Sequence, residues 1–237
     1  MGFDSASDNY LKSSDHRTGS DLEYFTDIFG SMRFERSLDV ASAAGHFANA
    51  FNADIKITTD LSLNMLKKGR EAFGLDAPVL AQAQYLPFLS DTFDLVGCRI
   101  AMHHFRCPCM FFGEVARILK KGGYFILIDS IVDDGDEHLN AIELMRDPTH
   151  IKSHTVEDIK GMAEAEGLTT YEAAIFPKRH DFREWVTRLN PSEEVCSQVE
   201  NMFQNLPEDY AERYRLEIKE GRLISYTDKK ALFIFKK

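Results

Sequence analysis

Between residues 37 and 174, short apolar runs alternate with longer stretches whose apolar residues recur with a helical period. A chain with that alternation folds as repeated β-α units, because a strand covered on both faces reads as an apolar run while its crossover helix keeps one wet side. Strands are expected at residues 37–41, 56–59, 78–81, 94–98 and 124–129, with helices near residues 45–51, 61–73 and 108–120. Leu63 and Leu66, with the alkyl parts of Lys67 and Arg70, form a face on the second helix. Lys121-Gly122-Gly123 is expected to end the third, since glycine adopts the left-handed conformation that releases the last carbonyls.

The remaining segments extend this pattern. Residues 1–36 read as a polar N-terminal helical cap, with Leu22, Phe25, Ile28 and Phe29 on one helix face. The acidic run 133–138 is expected on the surface, followed by a helix at 139–145. Thr155 and Asp158 have capping-box spacing ahead of a helix at 156–166, and Gly167 stops it. A sixth strand is expected at 169–176, a helical addition at 178–221, a polar turn at 227–230 and a last strand at 231–235. The whole, 1–237, is read as one domain.

A formal net charge of -10 argues against a general grip on nucleic-acid phosphates and favours a small-molecule substrate. The cysteines at 98, 107, 109 and 196 support neither a disulfide framework nor a metal site, because Cys107 and Cys109 form an isolated CxC. No basic leader with an apolar stretch and no run of membrane-spanning length is seen, so a cytoplasmic protein without a membrane partner is expected. A homodimer is left open.

The strongest local feature is Leu38-Asp39-Val40-Ala41-Ser42-Ala43-Ala44-Gly45-His46, a strand running into small residues at a helix start. Small residues let backbone approach a ligand, and the exposed N–H groups of a new helix favour an anion. Asp60 follows the second strand, where a carboxylate can accept both hydroxyls of a ribose; capping the next helix is the alternative.

With these motifs the chain resembles the class I S-adenosylmethionine-dependent methyltransferases, especially the quinone-biosynthesis type. The resemblance continues through Thr59-Asp60-Leu61-Ser62, Leu86-Pro87-Phe88, Asp91-Thr92-Phe93-Asp94, His103-His104-Phe105, Glu114-Val115-Ala116-Arg117-Ile118-Leu119-Lys120 and Gly122-Gly123, firmly over residues 35–130. It implies a Rossmann-like α/β fold with helices on both faces of a seven-stranded, mostly parallel sheet, in the order 3-2-1-4-5-7-6 with the last strand antiparallel. It also implies S-adenosyl-L-methionine as cofactor and methyl transfer to a small acceptor without metal. Asp39, Ala41, Ala43 and Gly45 would then lie at the methionine part, and Asp60 on the ribose. Leu61 would pack on the adenine, with Gln82 and Ala83 at its edge and Cys98 with Arg99 near the methyl group.

Ala41 and Ala43 stand where the family has glycine, and Gln82 where it has an acid. If the turn needs positive φ, each added methyl strains it, which leaves open a catalytically silent ligand-binding or scaffold protein on the same fold. A dehydrogenase is disfavoured by the missing GxGxxG. His103 and His104, after the fourth strand, and His150, beyond Arg146-Asp147-Pro148-Thr149, are candidate catalytic bases; a supporting role in their loops competes. Arg146 is read as paired with Asp147 or as part of the outer substrate wall. Tyr10, His16, Arg17, Trp185 and Arg188 would close the pocket if the terminal additions meet above the sheet, although apolar neighbours also make Trp185 a packing anchor.

Overall fold

The computed structural model describes residues 19–237, so Tyr10, His16 and Arg17 lie outside the described residues. In chain order the helices are α1 Ser20–Phe29, α2 His46–Ala50, α3 Leu63–Phe73, α4 Pro108–Ile118, α5 His138–Arg146, α6 Val156–Ala165, α7 Phe182–Thr187, α8 Glu193–Gln204 and α9 Glu208–Arg213. The strands are β1 Phe34–Val40, β2 Ala53–Asp60, β3 Ala77–Leu80, β4 Phe93–Arg99, β5 Leu119–Ile131, β6 Thr169–Asp181, β7 Glu217–Lys219 and β8 Arg222–Lys236. The sheet runs β3-β2-β1-β4-β5-β8-β6, with the short β7 paired to β8. This is the expected order once β7 is counted. Strands β1 to β5 are parallel, and β8 enters antiparallel between β5 and β6.

Alternation along the central strands makes two cores. Leu38, Val40, Val96, Phe125, Leu127 and Phe233 pack on one face beneath α4 and α6. Leu95, Ile126, Ile128, Leu232 and Ile234 pack on the other against Phe25 and Phe29 of α1 and Phe47 of α2. A third cluster gathers Phe182, Trp185, Val186, Val199 and Phe203 of the helical addition around Tyr226. The expected capping box at Thr155 and Asp158 is present in both directions.

Several boundaries differ, each because a long-range partner overrides the local signal. Helix α4 stops at Ile118, since buried Leu119 pairs with Phe93 and draws the chain into β5 before the lysines. Gly122 and Gly123 therefore serve a register shift rather than a helix cap: a methyl on Gly123 would stand 2.9 Å from the Lys120 carbonyl oxygen. The expected turn at 227–230 lies inside β8, where Lys229 pairs with Asp133 and Lys230 with Asp21. Strand β1 begins at Phe34, within the segment assigned to the cap, and β6 reaches Asp181, so the addition starts at Phe182. Leu63 is exposed; Met65, Leu66 and Gly69 form the buried face of α3. In the acidic run, Asp136 is buried and accepts a hydrogen bond from the Tyr214 hydroxyl.

Candidate active site

Strand β1 leaves the sheet between β2 and β4, so the chain departs in opposite directions on its two sides and opens a crevice at the strands' carboxyl ends. A cavity of about 630 Å³ fills that crevice. Its walls come from the turns after β1, β2, β3 and β4 and from the loop after α5.

The β1 turn is built on unusual backbone. Ala41 has φ 53° and Ala43 φ 45°, so both alanines occupy the left-handed region that favours glycine. Ile100, after β4, does the same at φ 55°, and all three residues line the cavity. Non-glycine residues in that region persist where surrounding contacts over-determine them, and they gather at ligand sites. Gly45, at φ 81°, turns the chain into α2 but faces away from the cavity, where an added methyl would strike Leu75. Helix α2 is only five residues long, so its dipole is small and the turn's own backbone makes this end of the site.

Two carboxylates flank the turn. Asp39 accepts a hydrogen bond from the Ala48 N–H at 2.9 Å through Oδ2, while its buried Oδ1 has no hydrogen-bond partner among the described residues. Burial pushes this carboxyl up to about 8, against the opposing pull of the Ala48 N–H and Arg99. The Ser42 hydroxyl is likewise buried and without a partner among the described residues, and both residues line the cavity. Asp60 accepts from the Ala43 N–H at 2.9 Å and from the Ser62 N–H at 2.8 Å, which locks the left-handed turn to the end of β2. Ser62, not Asp60, caps α3 by accepting from the Met65 N–H. The close approach of α3 to the turn needs Gly69, whose added methyl would stand 2.9 Å from the Ala44 carbonyl oxygen.

Leu61, Gln82 and Ala83 line the same end of the cavity. The loop bearing the last two is clamped from α4. Glu114 accepts the Leu86 N–H at 2.7 Å, and Arg117 donates to the carbonyls of Leu86 and Phe88 at 3.0 and 2.6 Å. These anchors account physically for the spacing between the Leu86-Pro87-Phe88 run and Glu114 and Arg117.

The three histidines come together but play different parts. Ring centroids of His103 lie 4.2 Å from His104 and 5.5 Å from His150. His103 Nδ1 lies 2.5 Å from the Asp129 carboxylate; burial opposes its charge, but Asp129 wins and raises its pKa, keeping Asp129 ionised in turn. His104 Nδ1 lies 3.1 Å from the Thr149 carbonyl oxygen, and the Thr149 hydroxyl already donates to Asp147. Nδ1 of His104 must therefore carry the proton, which leaves Nε2 as the acceptor nitrogen. Burial, and then the charge on His103, lower His104 to about 4, so it is neutral at pH 7. His104 lines the cavity, whereas His103 and His150 do not. His150 is buried against Asn140 and is lowered to about 4 by burial and His103.

Other candidates fall outside. Cys98 is fully buried in the core beneath the sheet, because strand alternation turns it away from the cavity. Arg146 pairs with Glu143 at 2.9 Å, rather than with Asp147, and its guanidinium lies 4.4 Å from the Trp185 ring centroid. Arg146, Trp185 and Arg188 do not line the cavity. Arg99 does, but its guanidinium is buried against Asp21 of α1 at 2.7 Å, and Lys230 completes the cluster at 3.3 Å. Ser42, Thr149, Arg106 and Met110 were not singled out from sequence; an acidic residue at Asp21 on an otherwise apolar helix face was a legible sign of a buried partner.

An open α/β sheet with acidic residues at the ends of its first two strands and a cavity over the reversal of strand order defines a protein that binds a nucleoside cofactor. A methyltransferase-domain family model matches residues 38–127. The solved structure of a protein from Bacillus halodurans C-125, named as a candidate methyltransferase, is 30% identical; it covers 92% of this chain and 99% of its own, with a TM-score of 0.87. YcgJ of Bacillus subtilis, named an uncharacterized methyltransferase, is 29% identical over 180 residues, 72% of this chain and 71% of YcgJ. Its crystal structure, covering 92% of this chain and 97% of its own at 26% identity, gives a TM-score of 0.83. The ubiquinone/menaquinone biosynthesis C-methyltransferase UbiE of Cupriavidus pinatubonensis is 30% identical over 101 residues, 39% of this chain and 42% of UbiE. The chain belongs to the class I S-adenosylmethionine-dependent methyltransferases.

Proposed function

We propose that this protein methylates a small organic acceptor held between the β1 turn and the loops bearing His104 and Thr149. One observation carries the reading: a single continuous cavity joins the β1 turn and Asp60 to the His104 side chain. The orphaned Asp39 oxygen and Ser42 hydroxyl suit the cofactor's ammonium and carboxylate, and Asp60 suits its ribose hydroxyls. Leu61, Gln82 and Ala83 form the adenine end. When bound, the cofactor supplies a methyl group on an electrophilic sulfonium. The protein's own task is then chiefly to align the acceptor and exclude water. His104, with Nε2 as acceptor, orients a protic nucleophile; His103, Asp129 and His150 are positioning residues that hold it neutral and in place.

Supplying methyl-labelled S-adenosylmethionine with a panel of phenols, acids and amines should release S-adenosylhomocysteine in step with labelled product. His104→Ala should lower kcat by roughly tenfold to hundredfold, with cofactor affinity unchanged. Cofactor that binds but is never consumed would favour the silent scaffold, which the two alanines at the glycine positions also suit.

A further inference from the structure

The cavity is divided by charge. Its two carboxylates, Asp39 and Asp60, both stand at the β1 and β2 turns. The other end is walled by Phe105, Met110, Pro148 and Ile151, and carries Arg106 and His104. Arg99 is spent on Asp21, but Arg106 is exposed and has no ion pair or hydrogen bond among the described residues. In a chain with 38 acidic and 28 basic residues, a cation without a carboxylate at the rim of an apolar chamber marks a place for a ligand's negative charge. Two residues away, the tautomer enforced by Thr149 makes His104 a hydrogen-bond acceptor rather than a donor. Arg106 therefore asks for an anion, His104 for an O–H, and the apolar wall for an apolar body.

We propose that the acceptor is an organic hydroxy acid with an apolar or aromatic body, its carboxylate held by Arg106 and its hydroxyl on His104 Nε2; this rests on the methyl-transfer reading above. In the step that follows, the hydroxyl oxygen forms a bond to the methyl carbon as the carbon–sulfur bond breaks. The sulfonium becomes a thioether, and the hydroxyl proton, oriented by its hydrogen bond to Nε2, leaves to water. The carboxylate keeps its charge throughout, so Arg106 contributes to binding in ground and transition state alike and acts mainly on KM.

The test is calorimetric titration of the S-adenosylhomocysteine-loaded protein with four probes: coumarate, vinylphenol, cinnamate and tyramine. Coumarate should bind best, because vinylphenol lacks the carboxylate, cinnamate lacks the hydroxyl, and tyramine reverses the charge. Arg106→Gln should weaken coumarate roughly tenfold, leave vinylphenol and S-adenosylhomocysteine unchanged, and be partly rescued by Arg106→Lys. Tyramine binding as well as coumarate, coumarate indifferent to Arg106→Gln, or no binding of coumarate to the loaded protein would each overturn the proposal. Failure of S-adenosylhomocysteine itself to bind would instead be a failure of the methyl-transfer reading, separately visible in the loading step.

Discussion

At the end of the cavity proposed for the cofactor the backbone makes the site, whereas at the end proposed for the acceptor side chains drawn from distant segments make it. Ala41, Ser42, Ala43, Gln82 and Ala83 sit within three residues beyond their strands and Asp60 ends β2, so the sheet places them. His104 owes its tautomer to Thr149, 45 residues away, and Arg99 its orientation to Asp21, 78 residues away; Lys230 joins Asp21 across 209 residues. The difference teaches what each end tolerates. The first depends on turn conformation and two carboxylates, and the second on buried charges that must be partnered.

The largest expected effect comes from breaking the long-range end. Asp21→Ala removes the carboxylate that Arg99 and Lys230 share, and should destabilise the fold by about 3–5 kcal/mol, measured by denaturant unfolding. Burial alone would raise the Asp21 pKa, but Arg99 and then Lys230 outweigh it and hold it below 3.8. A carboxyl depressed in the folded state stabilises above its unfolded value and loses that contribution as pH falls through the folded one. The Asp21 contribution should therefore be constant above about pH 5 and fade below about pH 4, and Asp21→Asn should remove that acid-sensitive part. An unfolding profile in which Asp21→Asn and the parent protein lose stability in parallel below pH 4 would deny the cluster this role.

A smaller effect of opposite sign is expected at the backbone-built end. Ala41→Gly and Ala43→Gly each relieve a left-handed alanine, and should stabilise by about 1 kcal/mol despite the added freedom of the unfolded chain. Thermal unfolding checks this. A loss of stability would mean that the alanine methyls have packing roles that outweigh their strain.

The same contrast explains how far the sequence could be read. The β-α order was legible because apolar periodicity locates strands, and with it the residues at the ends of β1, β2 and β3 that line the cavity. Positive φ at the β1 turn was legible as a condition, through alanines standing at glycine positions, though its realisation at Ala41 and Ala43 was not. The assignment of Cys98 to the cavity wall failed on strand alternation, a shift of one residue that sends a side chain to the opposite face. The histidines illustrate the harder case: their proximity was legible, but not that Asp129 raises the pKa of His103, that Asn140 buries His150, or that Thr149 sets the His104 tautomer. The β7–β8 hairpin was missed although Glu220-Gly221, with φ 50° and 73°, forms the kind of turn that closes two-residue hairpins. Its first strand, β7, is only three residues long and follows a segment dominated by helical periodicity.

The proposed role of Asp60, tied to the left-handed turn through the Ala43 N–H, is to hold the ribose of S-adenosylmethionine in this cavity. It is tested most directly by calorimetric titration of the cofactor-stripped protein and of Asp60→Asn with S-adenosylmethionine. Saturable binding in the micromolar range, weakened on the order of a hundredfold in Asp60→Asn, is the predicted result. Binding unaffected by Asp60→Asn, or none at millimolar cofactor, would contradict it.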